Sequence, residues 1–265
     1  MITLITGNHP RHIFLVKKFS EKFEVDNWII QKRENIFTDS YTIRKNMSEL
    51  EKIHFEKRYN SEKNFFGIVD NYEVFKIKNI IFITKEDFTN GKLKKKLKEL
   101  KTLNLISYGC KKISQDILSL FKLNKWNVHG GLSPWYRGSM THFWPTYLLE
   151  PEFTGMTLHQ LTDKIDGGDI IHQTKVKLNL GDGIHDNACR CVRDFVLSTN
   201  KLINTKTLSK KYEGIKPYST GRIWTEKMWN PYLLKVIYEK FEDRINKFCI
   251  ENKTLRKPKI QSVLV

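Results

Sequence analysis

The chain opens on Met1-Ile-Thr-Leu-Ile-Thr6, where apolar and polar side chains alternate with the period of a strand, and then turns through Gly7-Asn-His-Pro-Arg-His12. Beyond the turn, Ile13, Leu15, Val16 and Phe19 recur at helical spacing, so the first segment predicts strand, loop, helix. Further strands are expected at Trp28–Ile30, Asn79–Thr84 and Leu103–Ser107, with a long polar helix over about Met47–Asn64 between the second and third. Strands separated by helical stretches point to an α/β fold with an open, mainly parallel sheet flanked by helices.

Within the polar helix His54, Arg58 and Glu62 follow at i, i+4, i+8 and share one face. Two readings fit: a surface face with an i,i+4 ion pair, or a polar face lining a cleft. Phe65-Phe66-Gly67 reads as core packing followed by a helix stop. The stretch from Gly91 to Lys101 sets Leu93, Leu97 and Leu100 among lysines, the pattern of a solvated helix with three leucines turned inward. After about residue 185 the pattern changes to helical spacing over Asp186–Leu202 and then to a basic, aromatic tail. We therefore expect a main domain, residues 1–185, and a partly helical C-terminal extension, residues 186–265.

A chain of 265 residues with 40% hydrophobic side chains has the makings of a full core. Met1–Gly7 is too short for a secretory signal and no apolar run approaches the roughly 20 residues of a membrane span, so a cytoplasmic protein without membrane attachment is expected. The four cysteines show no CxxC spacing and read as reduced thiols. A formal charge of +17 attracts polyanions, whether nucleic acid, phosphorylated metabolites or anionic membrane, and does not choose among them. No nucleic-acid-binding motif is recognisable and the aromatics are not interleaved with arginine, so a nucleic-acid partner is not expected. A basic nucleic-acid-binding protein stays as the non-enzymatic alternative.

The segment Trp126–Gln173 concentrates the unusual chemistry, with four of the eight histidines. Asn127 and His129, two apart on an expected strand, point to one face and can converge on one spot. A turn-rich run, Gly130-Gly-Leu-Ser-Pro-Trp-Tyr-Arg-Gly138, follows them. Downstream, Thr157–His172 reads as strand, glycine-bearing loop and return strand, a finger that carries Asp166 at its tip. Taken alone, an N-x-H pair is more often a satisfied structural histidine, and an aspartate in a D-G-G turn more often caps backbone.

Together these pieces closely resemble the formyltransferases that use 10-formyltetrahydrofolate. The likeness is carried by Asn127-x-His129, by Leu132, Pro134, Tyr136, Arg137 and Gly138 in L-x-P-x-Y-R-G, and by G-M-T-L-H…D-G-G-D, and it is best over residues 100–180. It implies a Rossmann-like formyltransferase fold, a catalytic trio of Asn127, His129 and Asp166, and 10-formyltetrahydrofolate as cofactor, with no metal. The chemistry suits an amine attacking a formyl carbon: a neutral amide donor, a histidine as base and a carboxylate supporting it. The resemblance also places the pterin between two loops, at Tyr108, Gly109, Cys110, Lys111 and Ile113 and at Thr162, Asp163, Ile165 and Gly167. Relatives that read H-P-S-L-L-P have H-G-G-L-S-P here, which bears on the shape of the adjacent substrate pocket.

Candidates for holding the acceptor are Asn8, His9, Arg11 and His12 in the first βα loop, which offers a helix N-terminus to phosphate, together with His54 and Arg58. Arg137, Gly138, Thr141 and His142 follow the catalytic strand and join them. The roughly 80 residues after position 185 read as partly helical where a methionyl-tRNA formyltransferase carries a β-rich domain and the purine enzyme ends soon after its core. The tail G-R-I-W…L-L-K-V-I-Y-E-K-F-E-D-R-I resembles those of sugar-nucleotide N-formyltransferases. The expected acceptor is thus the amine of a nucleotide-linked amino-deoxysugar, a precursor of cell-surface glycans such as O-antigen, and the expected assembly a homodimer. A methionyl-tRNA formyltransferase-like enzyme and a folate-binding formyl hydrolase are the enzymatic alternatives.

Overall fold

The computed structural model describes residues 1–32, 47–69 and 71–264. Its strands are β1 (Ile2–Gly7), β2 (Asn27–Gln31), β3 (Asn79–Ile83), β4 (Asn104–Tyr108), β5 (Lys125–His129), β6 (Tyr136–Gly138), β7 (Gly155–Gln160), β8 (Ile170–Lys175) and β9 (Arg222–Trp224). Its α-helices are α1 (Pro10–Ser20), α2 (Glu49–Phe66), α3 (Lys92–Glu99), α4 (Gln115–Leu118), α5 (Trp144–Tyr147), α6 (Ile184–Leu202), α7 (Thr205–Ser209) and α8 (Ile245–Glu251). The seven-stranded sheet runs β3-β2-β1-β4-β5-β7-β8. Its first five strands are parallel, and β7 and β8 pair antiparallel at one side. This is the open, mainly parallel sheet expected of the sequence.

Every residue of β1 is buried, as a strand covered on both faces must be. On one face Leu4, Trp28, Ile106, Trp126 and Val128 share a core with Val16 and Phe19 of α1 and Val192 and Phe195 of α6. On the other, Ile5, Ile29 and Leu105 pack with Leu93 and Leu97 of α3 and Ile117 of α4. The lysine-rich helix therefore buries two of its leucines, while Leu100 ends it half-buried. A capping box closes the start of α2, with Ser48 Oγ accepting from the Glu51 amide and Glu51 accepting from the Ser48 amide at 2.9 Å.

The boundary expected at residues 185/186 falls in the first turn of α6, and the apolar side of that helix lies in the main core. The chain beyond it folds back on itself. Trp224 stacks on Trp144 with ring centroids 4.6 Å apart, and Leu234, Ile237 and Ile245 are buried in the same third cluster as Leu132 and Tyr136. Most of this tail is single turns and short pieces rather than long helix, and α8 spans only seven residues. Strand β9 pairs in parallel with β6, just after the Asn127–His129 strand, so the tail buttresses the segment that carries Arg137 and Gly138. Among the described residues no disulfide forms, and no helix is long and apolar enough to cross a membrane.

Candidate active site

Because Trp126 and Val128 point into the α1/α6 core, Asn127 and His129 project from the opposite face of β5. Cross-strand register then lines up polar side chains in two rows. Ser107 on β4, Asn127 on β5 and His159 on β7 form one row, and His129, Thr157 and Gln173 on β5, β7 and β8 form the next. The loop after β7 curls back over these rows and sets Asp166 upon them.

Asp166 gathers polar partners from four places. Its Oδ2 accepts from the Gly138 amide at 2.9 Å and lies 3.3 Å from His129 Nδ1, and its Oδ1 lies 3.4 Å from both Asn127 Nδ2 and His159 Nε2. Burial would raise the carboxyl, but the two histidines and the Gly138 amide outweigh it and hold Asp166 well below the usual carboxylate range. The backbone there is left-handed, φ 43°, a conformation a non-glycine residue keeps only when its surroundings over-determine it. Ser133 Oγ donates to the Asp166 carbonyl at 3.0 Å, and Arg137 Nε donates to the Ile165 carbonyl at 2.8 Å.

His129 Nε2 lies 2.8 Å from the Tyr136 carbonyl. A carbonyl only accepts, so the proton of the neutral ring sits on Nε2 and the basic position is Nδ1, facing Asp166. Burial pushes His129 below the ordinary imidazole range, opposed by Asp166 and by the Tyr136 carbonyl. A lone pair and a carboxylate oxygen face to face leave a place for one proton between them. Asn127 is fixed from the other side, its Oδ1 accepting from Ser107 Oγ at 2.8 Å, so its amide nitrogen points toward Asp166.

The two loops expected to hold a pterin meet: Lys112 Nζ donates to the Asp163 carbonyl at 2.8 Å. Within the first loop the Tyr108 and Ile113 side chains are buried in the core. Gly109 stands at φ 63°, where a Cβ would come 2.2 Å from His12 Nε2, and the Lys111 amide donates to Gln31 Oε1 at 2.7 Å. Cys110 is half-buried. In the second loop Thr162 Oγ1 accepts from the Lys164 amide at 3.2 Å, Ile165 is half exposed and Gly167 packs on the Arg137 guanidinium.

The candidate acceptor residues separate into two groups. Arg137, whose guanidinium also donates to the Thr220 carbonyl, and Gly138 belong to the Asp166 shell. The rest lie on the α1/α2 side of the sheet, around a fully buried Glu62. One oxygen of Glu62 accepts from Arg11 at 2.7 Å and from Arg58 at 3.2 Å, and Arg58 reaches toward His9 at 3.4 Å. Burial would raise this carboxyl, and the two guanidinium groups instead bring it to about 2. The His54-Arg58-Glu62 face is thus neither a solvated surface nor an open cleft but a buried ion cluster. His142 lies 3.4 Å from Arg11 and 3.2 Å from the Gly155 carbonyl, and Thr141 donates to the Gly130 carbonyl, which ties this cluster to the end of β5. His9 stacks on His12 with centroids 5.2 Å apart, Asn8 is half-buried beside them, and His54 turns to Tyr238 Oη at 2.8 Å and His185 at 3.2 Å.

Sequence reasoning passed over His159 and Ser107. The signal that would have found them is polarity at buried strand positions flanking Asn127, and it acquires meaning only once the strand order is known.

An α/β sheet that ends in this Asn-His-Asp cluster defines a class. The family model described as formyl transferase matches residues 46–191, and the chain belongs to that family. It is 38% identical over 123 residues to the bifunctional polymyxin resistance protein ArnA of Wigglesworthia glossinidia brevipalpis, which covers 46% of this chain and 18% of that protein. It is 31% identical over 93 residues to a methionyl-tRNA formyltransferase of Prochlorococcus marinus, covering 33% of this chain and 28% of that protein. The matches therefore span less than a third of either curated relative. Among solved structures, the N-formyltransferase from Helicobacter canadensis with folinic acid and dTDP-3-aminofucose shares the fold at a TM-score of 0.55 and 21% identity, covering 87% of this chain and 73% of that one.

Proposed function

We propose that the chain moves a formyl group from 10-formyltetrahydrofolate to the amino group of a nucleotide-linked amino-deoxysugar. The observation that carries the transfer is the convergence of the Asn127 amide and the His129 ring on the two oxygens of the Asp166 carboxylate, at 3.4 and 3.3 Å. A neutral amide, an imidazole and a carboxylate fit a formyl donor, and loops 108–113 and 162–168, joined at Lys112 and Asp163, are the segments proposed to hold its pterin. When bound, the folate supplies an activated formyl carbonyl. Asn127 Nδ2 donates to the carbonyl oxygen as negative charge gathers there, in a pocket where such a donor counts for more than in water. The proton leaving the amine passes to the His129–Asp166 pair, is held between Nδ1 and Oδ2, and would go on to the folate nitrogen as the bond from that nitrogen to the formyl carbon breaks. The acceptor reading is supported by the tail motif from Gly221 to Ile245 and by a fold shared over 87% of this chain with an enzyme solved beside an aminosugar nucleotide.

The test is a panel of nucleotide-linked amino sugars incubated with 10-formyltetrahydrofolate and followed by mass spectrometry. One sugar should gain the mass of a formyl group in place of a hydrogen. Gain on charged initiator tRNA, with none on any sugar, reassigns the acceptor to tRNA.

A further inference from the structure

His159 stands on β7 directly across from Asn127, and the transfer described above gives it no part. Its ring is 2% exposed, and its Nδ1 lies 2.8 Å from the Gln160 carbonyl. Since that carbonyl only accepts, Nδ1 carries the proton of the neutral ring and Nε2 is a lone pair. Nε2 faces Asn127 Nδ2 at 3.2 Å and Asp166 Oδ1 at 3.4 Å. The arrangement mirrors His129: each ring has one nitrogen tied to a main-chain carbonyl and the other aimed at its own oxygen of Asp166.

Asn127 has two N–H groups and one carbonyl oxygen, and Ser107 already uses the oxygen. We infer that His159 is a positioning residue for formyl transfer, an inference that rests on the function proposed above: its Nε2 accepts one N–H of Asn127 and so turns the other toward the reacting carbonyl oxygen. Without that acceptor the amide can rotate about its last torsion, and the donor loses its aim. That second N–H faces Asp166 Oδ1 at 3.4 Å, and in the transfer the formyl oxygen takes the carboxylate's place as its acceptor.

Two measurements on the full chain test this. The first is histidine-labelled NMR of the wild-type protein at neutral pH, with the His159 resonances assigned through the His159→Gln variant. Protonation at Nδ1 is expected, and a ring protonated at Nε2 would overturn the inference, because it could not accept from Asn127. The second is steady-state kinetics. His159→Leu should lower kcat about 10- to 100-fold, the scale of a misaimed catalytic group, with KM for folate and acceptor unchanged. His159→Gln, whose carboxamide oxygen can still accept, should recover part of the loss. A leucine variant with wild-type kcat, or a loss confined to KM, contradicts the role. Should the wild type formylate no amine at all, the proposed function fails, while the ring tautomer still decides whether His159 accepts from Asn127.

Discussion

The guanidinium of Arg137 donates from Nε to the main-chain oxygen of Ile165 at 2.8 Å, one residue before Asp166. The same group donates to the Thr220 carbonyl, so a single side chain braces the aspartate loop against the C-terminal segment. Arg137→Met keeps the length and removes every donor to the Ile165 and Thr220 carbonyls. It should cost about 1–2 kcal/mol in urea unfolding. Turnover should fall by more than that stability loss explains at temperatures where the variant remains folded, because the left-handed Asp166 is no longer held.

His129 and Asp166 act on one proton, which makes their contributions non-additive. His129→Ala and Asp166→Asn should each lower turnover about 10²–10⁴-fold. The double variant should fall little further than the worse single one, as expected of groups that work as a unit. Losses that multiply in the double variant would separate the two roles.

Three buried histidines give the protein a definite response to acid. Burial brings His54 and His142 from 6.5 to about 3, helped by Arg58 and Arg11 respectively, and burial alone brings His172 to about 4. The unfolded chain takes up these protons below about pH 6.5 and the folded chain does not, so stability is full above that pH and declines as pH falls toward the folded values. Each group contributes a slope of roughly 1.4 kcal/mol per pH unit inside its window. His172 bonds Ser262 and Ser198, away from the Asp166 cluster, so His172→Gln should flatten the fall in unfolding free energy between pH 6 and pH 5 by about one proton's worth. An unchanged slope would show that His172 titrates alike in both states.

Glu62 titrates lower, and in the sense usual for a carboxylate. Its folded value of about 2 lies below the ordinary 4.5, so its contribution is present above pH 4.5 and is lost as pH falls toward 2. Glu62→Gln removes the counter-charge of two buried guanidinium groups at once. Breaking such a cluster on one side should destabilise by about 3–5 kcal/mol near neutral pH, and the difference from wild type should shrink on acidification. Urea titrations at pH 7 and pH 4 check both statements.

What the sequence made legible follows the range of the forces involved. Strands β1 to β4 were readable within a residue or two, because β1, β2 and β4 are buried along their length and β3 still carries an apolar run at the sheet's edge. The trio was readable only through resemblance, since Asn127, His129 and Asp166 each fit an ordinary structural role. The face shared by His54, Arg58 and Glu62 was visible, but its burial was not, because Arg11 arrives from 51 positions away. The helical spacing over Asp186–Leu202 forms α6, and the aromatic tail beyond it is mostly single turns. Pro231 begins a single turn there, and Trp224 and Trp229 are held by Trp144 and Phe143 rather than by neighbours along a helix. Ser107 and His159 flank Asn127 only through strand order, which no local pattern encodes.

The most direct test of the central claim follows the labelled carbon of [¹³C]formyl-tetrahydrofolate in a reaction with purified protein and the panel of amino sugar nucleotides. The account predicts a new formamide resonance on one sugar, formed by the wild type and suppressed in Asp166→Asn. Label that appears as free formate with or without amine, and never on a sugar or a charged tRNA, would contradict formyl transfer and identify water as the acceptor.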